Sequence, residues 1–297
     1  MPLFSVGMCW NRRMRALTFW CCAVCISISL LLGAGTVAAD TDTPHYTYFV
    51  PVYYVPAPHK LGLAGGTVEQ AATLGASWLY DWTANPPHSD APVEAVPMLA
   101  RDWGDRPVPQ VGGNSPYILG FNEPDLSSQA NLTPQRAAVL WRRIEQAYPR
   151  RLLVSPAVSC GDLYWLVRFR LAYRELYGTW PRFDVLAAHC YRWNAAGCIQ
   201  VAQQFATWVR DWQVPGGYWF TEFAFVPAWA ADAEREARAF VAYLEGDPLA
   251  RRYAPFVAYT ERGVWYWPDT RAAADPSLFV GPGSLELTTV GRWYQGH

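Results

Sequence analysis

Charge is what this chain has least of. Only 16% of its 297 residues are Asp, Glu, Lys or Arg, and 24 basic against 25 acidic groups leave a formal net charge of −1. With 52% hydrophobic residues, the composition excludes a disordered chain or a coiled coil. There is no basic field to hold phosphates, which argues against a nucleic acid partner. Beyond residue 39 neither C-x-x-C nor H-x-x-x-H spacing occurs, so a structural zinc site has no support. Gly62-Leu63-Ala64-Gly65-Gly66 misses the G-x-G-x-x-G spacing of a dinucleotide turn. No internal repeat aligns and no linker interrupts the chain, so one domain is expected. What the chain has in abundance is aromatic surface, with 16 Trp and 17 Tyr.

The N-terminus reads as a targeting segment. Arg12, Arg13 and Arg15 precede an uncharged stretch from Ala16 to Gly35, and Val37-Ala38-Ala39 offers small residues before Asp40. A basic, then apolar, then small-residue succession describes a secretory signal peptide. The apolar stretch is also long enough to span a bilayer, so an uncleaved signal anchor is the alternative. Residues 1–39 are thus expected to be a signal, 40–59 an extended lead-in, and 60–297 the functional domain. A secreted protein is expected; the alternative is a membrane-anchored one with an exported domain. Cleavage would leave Cys160, Cys190 and Cys198. Of these, Cys190 and Cys198 lie closest in sequence, and an oxidising compartment permits a pair.

After Lys60 short apolar runs alternate with longer amphipathic ones, the pattern of repeated βα units. Eight runs qualify as strands: Leu61–Ala64, Ser77–Tyr80, Ala95–Leu99, Tyr117–Phe121, Leu152–Val158, Asp184–Ala188, Tyr218–Thr221 and one within Phe256–Trp267. They are continuous rather than alternating, as parallel strands buried on both faces are. Helices are expected over Thr67–Leu74, Thr133–Tyr148, Asp162–Tyr177, Ile199–Trp212, Asp232–Leu244 and Val290–Tyr294. Thr133 followed by Pro134 is a good start signal. The Pro- and Gly-rich stretches Asn85–Pro92 and Arg101–Pro116 leave no clear room for helices after the second and third strands. The expected fold is α/β, a single-domain (β/α)8 TIM barrel, with a doubly wound open sheet as the alternative.

Two carboxylates stand out by position. Glu123 follows Tyr117-Ile118-Leu119-Gly120-Phe121-Asn122, and Glu222 follows Tyr218-Trp219-Phe220-Thr221. In a parallel barrel both would sit at strand C-terminal ends, where active sites are built. A carboxylate pair suits glycoside hydrolysis, one protonated to assist the leaving oxygen and one ionised to attack or to activate water. Pro124 disfavours helical geometry at Glu123, so an extended strand end is expected there. Asn122 offers a donor and an acceptor for a sugar hydroxyl. A structural ion pair is the plainer reading of either Glu taken singly.

Ile118-Leu119-Gly120-Phe121-Asn122-Glu123-Pro124-Asp125 and Trp219-Phe220-Thr221-Glu222-Phe223 resemble the two signature segments of glycoside hydrolase family 128. That family contains β-1,3-glucanases on a (β/α)8 barrel. Leu61–Ala64, Trp78–Trp82, Val96–Leu99, Ser155–Ala157, Phe183–Tyr191 and Gly283–Tyr294 are similar to further family segments in the same order. The resemblance implies an exported retaining hydrolase of β-glucan, with Glu123 as general acid/base and Glu222 as nucleophile. Asp81, Gly65-Gly66 and Ala100 depart from the residues common in the family around the sugar sites. The rivals are a hydrolase of another polysaccharide with the same two Glu, a non-catalytic carbohydrate-binding or cell-surface protein, and a membrane-anchored structural protein.

Candidate substrate-binding residues surround the expected barrel mouth. They are Asn122, Asp81, Tyr80, Trp82, His189, Tyr191, Trp265 and Trp267. The aromatic members are expected to stack on sugar faces. No metal or organic cofactor is expected, because the two carboxylates supply both proton transfer and attack. The expected partner is a polysaccharide or oligosaccharide, with a monomer as the default state and membrane contact only if the N-terminal segment is uncleaved.

Overall fold

The computed structural model describes residues 59–159, 161–225, 230–259 and 277–296. All of these belong to the compact unit Tyr54–His297, the other unit being Met1–Tyr53. The expected signal, the lead-in up to residue 58, Cys160, Trp265 and Trp267 lie outside the described residues.

Eight strands are present among the described residues: β1 Gly62–Ala64, β2 Trp78–Tyr80, β3 Glu94–Ala95, β4 Tyr117–Leu119, β5 Leu152–Val154, β6 Leu186–Arg192, β7 Tyr218–Phe225 and β8 Ala250–Pro255. Six helices accompany them among the described residues: α1 Val68–Leu74, α2 Pro134–Ala147, α3 Tyr164–Tyr177, α4 Ala195–Asp211, α5 Ala230–Gly246 and α6 Thr289–Gln295. The strands between residues 78 and 119 are joined by loops without helices, as the Pro- and Gly-rich stretches imply.

The expected (β/α)8 TIM barrel is not what forms. The strands make three separate parallel sheets, β1-β2-β3, β4-β5 and β6-β7-β8. Among the described residues, isolated parallel bridges run between them, at Met98–Leu119, Val154–Val185, Val158–Ala188, Leu61–Tyr253 and Ala64–Phe256. Proline is part of the reason. Pro97, two residues past β3, has no N–H to give to a ladder, and contact with β4 is the single Met98–Leu119 bridge, made by the Leu119 N–H to the Pro97 carbonyl at 2.9 Å and the Leu99 N–H to the Leu119 carbonyl at 3.0 Å. Pro156 lies just beyond β5, and there the Ser155 hydroxyl rather than a carbonyl accepts the Ala187 N–H at 2.9 Å.

Helix starts follow their caps. Thr67 and Gln70 form a reciprocal capping box on α1. Thr133 caps α2 ahead of Pro134 by accepting the Arg136 N–H at 3.2 Å. α4 begins at Ala195, four residues before the expected Ile199, because Asn194 accepts the Gly197 N–H. A disulfide joins Cys190 on β6 to Cys198 in α4. Closing so short a loop removes chain entropy worth about 2–3 kcal/mol.

The strands separate two apolar clusters. One packs strand residues such as Ile118, Phe220 and Phe223 against helical residues such as Trp141, Phe205 and Phe240. The other lies among the strands and includes Ala64, Trp78, Tyr80, Leu119, Val154, Ala187, Trp219 and Ala254. Burial on both faces is why these strands read as unbroken apolar runs. Gly62 is required for this packing, since a Cβ there would stand 2.2 Å from the Trp78 indole.

Among the described residues the last strand is β8, Ala250–Pro255, ahead of the run expected within Phe256–Trp267, of which residues 260–267 lie outside the described residues. The apolar criterion passes over it because it carries Arg251 and Arg252. Arg252 nevertheless turns inward and is only 7% exposed. It donates to Glu94 at 2.5 Å and lies over the rings of Trp219, Tyr117 and Trp78. Arg252→Met would leave Glu94 with the Ser115 hydroxyl alone. A loss of about 3 kcal/mol is expected, seen as a lower urea midpoint with an unchanged slope.

Candidate active site

The functional side chains converge at the C-terminal ends of the strands. β7 is buried along its whole length and carries Glu222. Strict alternation would put Glu222 on the face of Tyr218 and Phe220, which pack toward the helices. The pairing with β6 instead jumps from Ala188–Phe220 to His189–Glu222, so Thr221 is an extra residue. This bulge exchanges the faces, sending Phe223 toward the helices and Glu222 to the inner side.

Four donors surround the Glu222 carboxylate. Oε1 accepts from the Tyr80 hydroxyl at 2.7 Å and the Trp82 indole N–H at 2.8 Å. Oε2 accepts from the Tyr191 hydroxyl and lies 3.4 Å from His189 Nδ1. Burial, then the charge and hydrogen bond of Glu222, pushes the Tyr80 and Tyr191 phenols well above their ordinary range. Both therefore stay protonated as donors.

Glu123 lies four residues past the end of β4, where Asn122 bridges Ala157 and the Glu123 N–H donates to the Ala157 carbonyl at 2.8 Å. Its backbone is not extended as Pro124 led us to expect. The φ of +40° is left-handed, a strained state for a residue with a Cβ. Pro124 excludes ordinary helical geometry but does not by itself select the extended region. Trp82 is also left-handed, with φ +62°. Both strained residues direct side chains into the same cluster.

His189 joins the two acids. Its Nδ1 lies 2.9 Å from Glu123 Oε1. Residue exposure is 6% for Glu123, 4% for Glu222 and zero for His189. Burial pulls the His189 pKa down. The charge of Glu222, the hydrogen bond to Glu123, and the charges of Glu123 and Asp125 outweigh it, so the net shift is upward from 6.5. One ligating atom from each of Glu123, His189 and Glu222 lies within 4.8 Å of the others, a spacing that also suits a cation. The contacts made fit an acid–base cluster better, since His189 Nδ1 is engaged with a carboxylate and each oxygen of Glu222 already accepts a hydrogen bond.

The other sequence candidates divide. Asn122 is buried, donating to Gln129 at 3.2 Å, while its carbonyl oxygen has no hydrogen-bond partner. Asp81 turns away into a local turn, accepting from the Thr83 N–H and hydroxyl. Trp265 and Trp267 fall outside the described residues. Three participants had no role in the sequence reading. Phe256 packs edge-on against Trp82 and Tyr191. Gln129 holds Asn122. Asp125 holds the Ser159 N–H at 2.9 Å and adds charge near His189. Of these only Asp125, inside the Asn-Glu-Pro-Asp segment, carried any sequence signal.

The raised His189 pKa has a stability consequence. Its contribution is complete below pH 6.5 and disappears as pH rises through the higher folded-state value. The stability difference between the native protein and His189→Gln should therefore be largest below pH 6.5 and shrink above it. Urea titrations across this pH range check the sign.

Comparison with known proteins identifies the family. A family model described as the glycosyl hydrolase catalytic core matches residues 63–294. No curated protein sequence matches the chain. Among solved structures, a subgroup II endo-β-1,3-glucanase of glycoside hydrolase family 128 from Sorangium cellulosum is 27% identical with a TM-score of 0.63. That alignment covers 80% of this chain and 97% of the other. A subgroup I endo-β-1,3-glucanase variant from Amycolatopsis mediterranei, in complex with laminarihexaose, is 25% identical with a TM-score of 0.61, covering 80% and 98%. A subgroup III curdlan-specific exo-β-1,3-glucanase from Blastomyces gilchristii shares the fold at 23% identity and TM-score 0.63, covering 82% and 100%. With a family model spanning most of the described chain and family 128 enzymes matching nearly end to end, the chain belongs to the glycosyl hydrolase catalytic core family, in glycoside hydrolase family 128, and is a glycoside hydrolase.

Proposed function

We propose that this protein hydrolyses β-1,3-glucan with retention of configuration, using Glu123 as general acid/base and Glu222 as nucleophile. The observation that carries the reading is the approach of the two carboxylates, whose nearest ligating oxygens lie within 4.8 Å. Retaining enzymes hold their carboxyl groups ~5–5.5 Å apart, whereas inverting ones need ~6.5–9.5 Å to admit a water between sugar and base. The substrate class follows the β-1,3-glucanases among the solved relatives.

In the first step a Glu222 oxygen attacks the anomeric carbon while Glu123 protonates the departing oxygen. In the second, Glu123 takes a proton from water, whose oxygen displaces Glu222. Tyr80, Trp82 and Tyr191 fix the nucleophile's orientation from three sides. Trp82 and Tyr191, both partly exposed, offer ring surface beside it for a sugar. The succession of residues 1–39 supports export of the domain, where a polymeric substrate would be met.

Reducing-sugar release from soluble β-1,3-glucan by residues 40–297 tests the reading. Glu123→Gln should lower kcat by about 10²–10⁴-fold, and Glu222→Gln should abolish release. Proton NMR of the first product should show the β-anomer. Binding without cleavage by the folded native protein would instead favour a carbohydrate-binding role.

A further inference from the structure

The mechanism just described gives roles to Glu123 and Glu222 and leaves His189, buried beside both, idle. On that reading of Glu123 and Glu222, we propose that His189 is a positioning residue that holds the working proton for Glu123 and releases it when Glu222 loses its charge to the sugar.

The geometry is specific. A single ring nitrogen, Nδ1, faces both acids, 2.9 Å from Glu123 and 3.4 Å from Glu222. The other nitrogen, Nε2, is buried and has no hydrogen-bond partner among the described residues. Only Nδ1 can therefore exchange a proton within the cluster. The titratable groups around the ring are Glu123 and Asp125 after β4, Glu222 on β7, Tyr80 of β2 acting through Glu222, and Tyr191 on its own strand. Glu222 is the foremost of the charges that hold the imidazole protonated against burial.

The proton balance then closes. At rest the proton shared by Glu123 and His189 sits on Nδ1. As the Glu222 oxygen bonds to the anomeric carbon, the glycosidic bond breaks and its electron pair goes to the leaving oxygen. That oxygen takes a proton from Glu123, which takes the Nδ1 proton of His189. The ester at Glu222 is neutral, so nothing draws the proton back, and Glu123 is left as the carboxylate needed to act as base. In the second step water gives its proton to Glu123 and on to Nδ1, its oxygen bonds to the anomeric carbon, and the ester breaks. Glu222 regains its charge and His189 its proton. One water is consumed and no proton is gained or lost.

The test compares the free native enzyme with the enzyme trapped by a 2-deoxy-2-fluoro-β-laminaribiosyl fluoride, with His189 followed by nitrogen-15 NMR across pH. Labelling of Glu222 with a fall in the His189 pKa by a unit or more is the expected result. Labelling of Glu222 with an unchanged His189 overturns this proposal and leaves the double displacement standing. Labelling of another residue, or of none, overturns both. A second measurement uses His189→Gln, which keeps a hydrogen-bonding side chain but cannot store a proton. Its kcat on β-1,3-glucan should fall about 100-fold, within the range of general acid–base contributions. Its rate of glycosylation by a 2,4-dinitrophenyl glycoside, whose leaving group needs no protonation, should change less than about tenfold, because general acid assistance no longer contributes. The alkaline limb of kcat/KM on glucan should move to lower pH, since a carboxyl ordinarily gives up its proton at lower pH than an imidazolium. Equal losses on both substrates with an unmoved limb would mean that His189 serves structure only.

Discussion

The buried negative charge of Glu222 is the constraint around which the rest is arranged. An ionised carboxylate removed from water without partners is severely destabilising. Here it is met by donors from β2, from Trp82 two residues beyond β2, and from β6. These belong to two different sheets, joined by isolated bridges rather than by a continuous ladder. The hydrogen bonds to Glu222 therefore fix how one sheet faces the other. The site contributes to the fold as much as the fold holds the site.

The opposite ends of the strands carry a complementary arrangement. Arg252, paired with Glu94 and lying over Trp78, Tyr117 and Trp219, brings a cation into the start of the inner cluster. Glu123 and Glu222 bring carboxyl groups to its end. Small and medium apolar residues such as Ala64, Leu119, Val154 and Ala187 fill the space between. The inner cluster thus has polar, hydrogen-bonded ends and an apolar middle.

Two of the four non-glycine residues with left-handed backbones among the described residues lie at the candidate site. Glu123 and Trp82 hold left-handed backbones without being glycine. The register of β6 against β7 shifts at the residue before His189. The disulfide from Cys190, set between His189 and Tyr191, ties this irregular strand end to α4. Irregular backbone re-aims side chains that a regular strand would send to alternate faces.

Much of this was legible from residue order. Apolar runs bounded by caps and prolines located seven of the eight strands and all six described helices, because burial on both faces and capping are local in sequence. Glu123 and Glu222 stood out because acids at the ends of such runs are conspicuous. β8 was missed because Arg252 is buried through a pair with Glu94, 158 residues away. The continuous barrel was expected because strand count says nothing about where ladders break. The sequence by itself determined the element types, the two acids and the family. Only the tertiary structure decided which way those acids point, since the bulge at Thr221 turns Glu222 inward and the turn at Glu123 brings it to His189. Those choices are made by partners on other strands, and no local pattern in the chain records them.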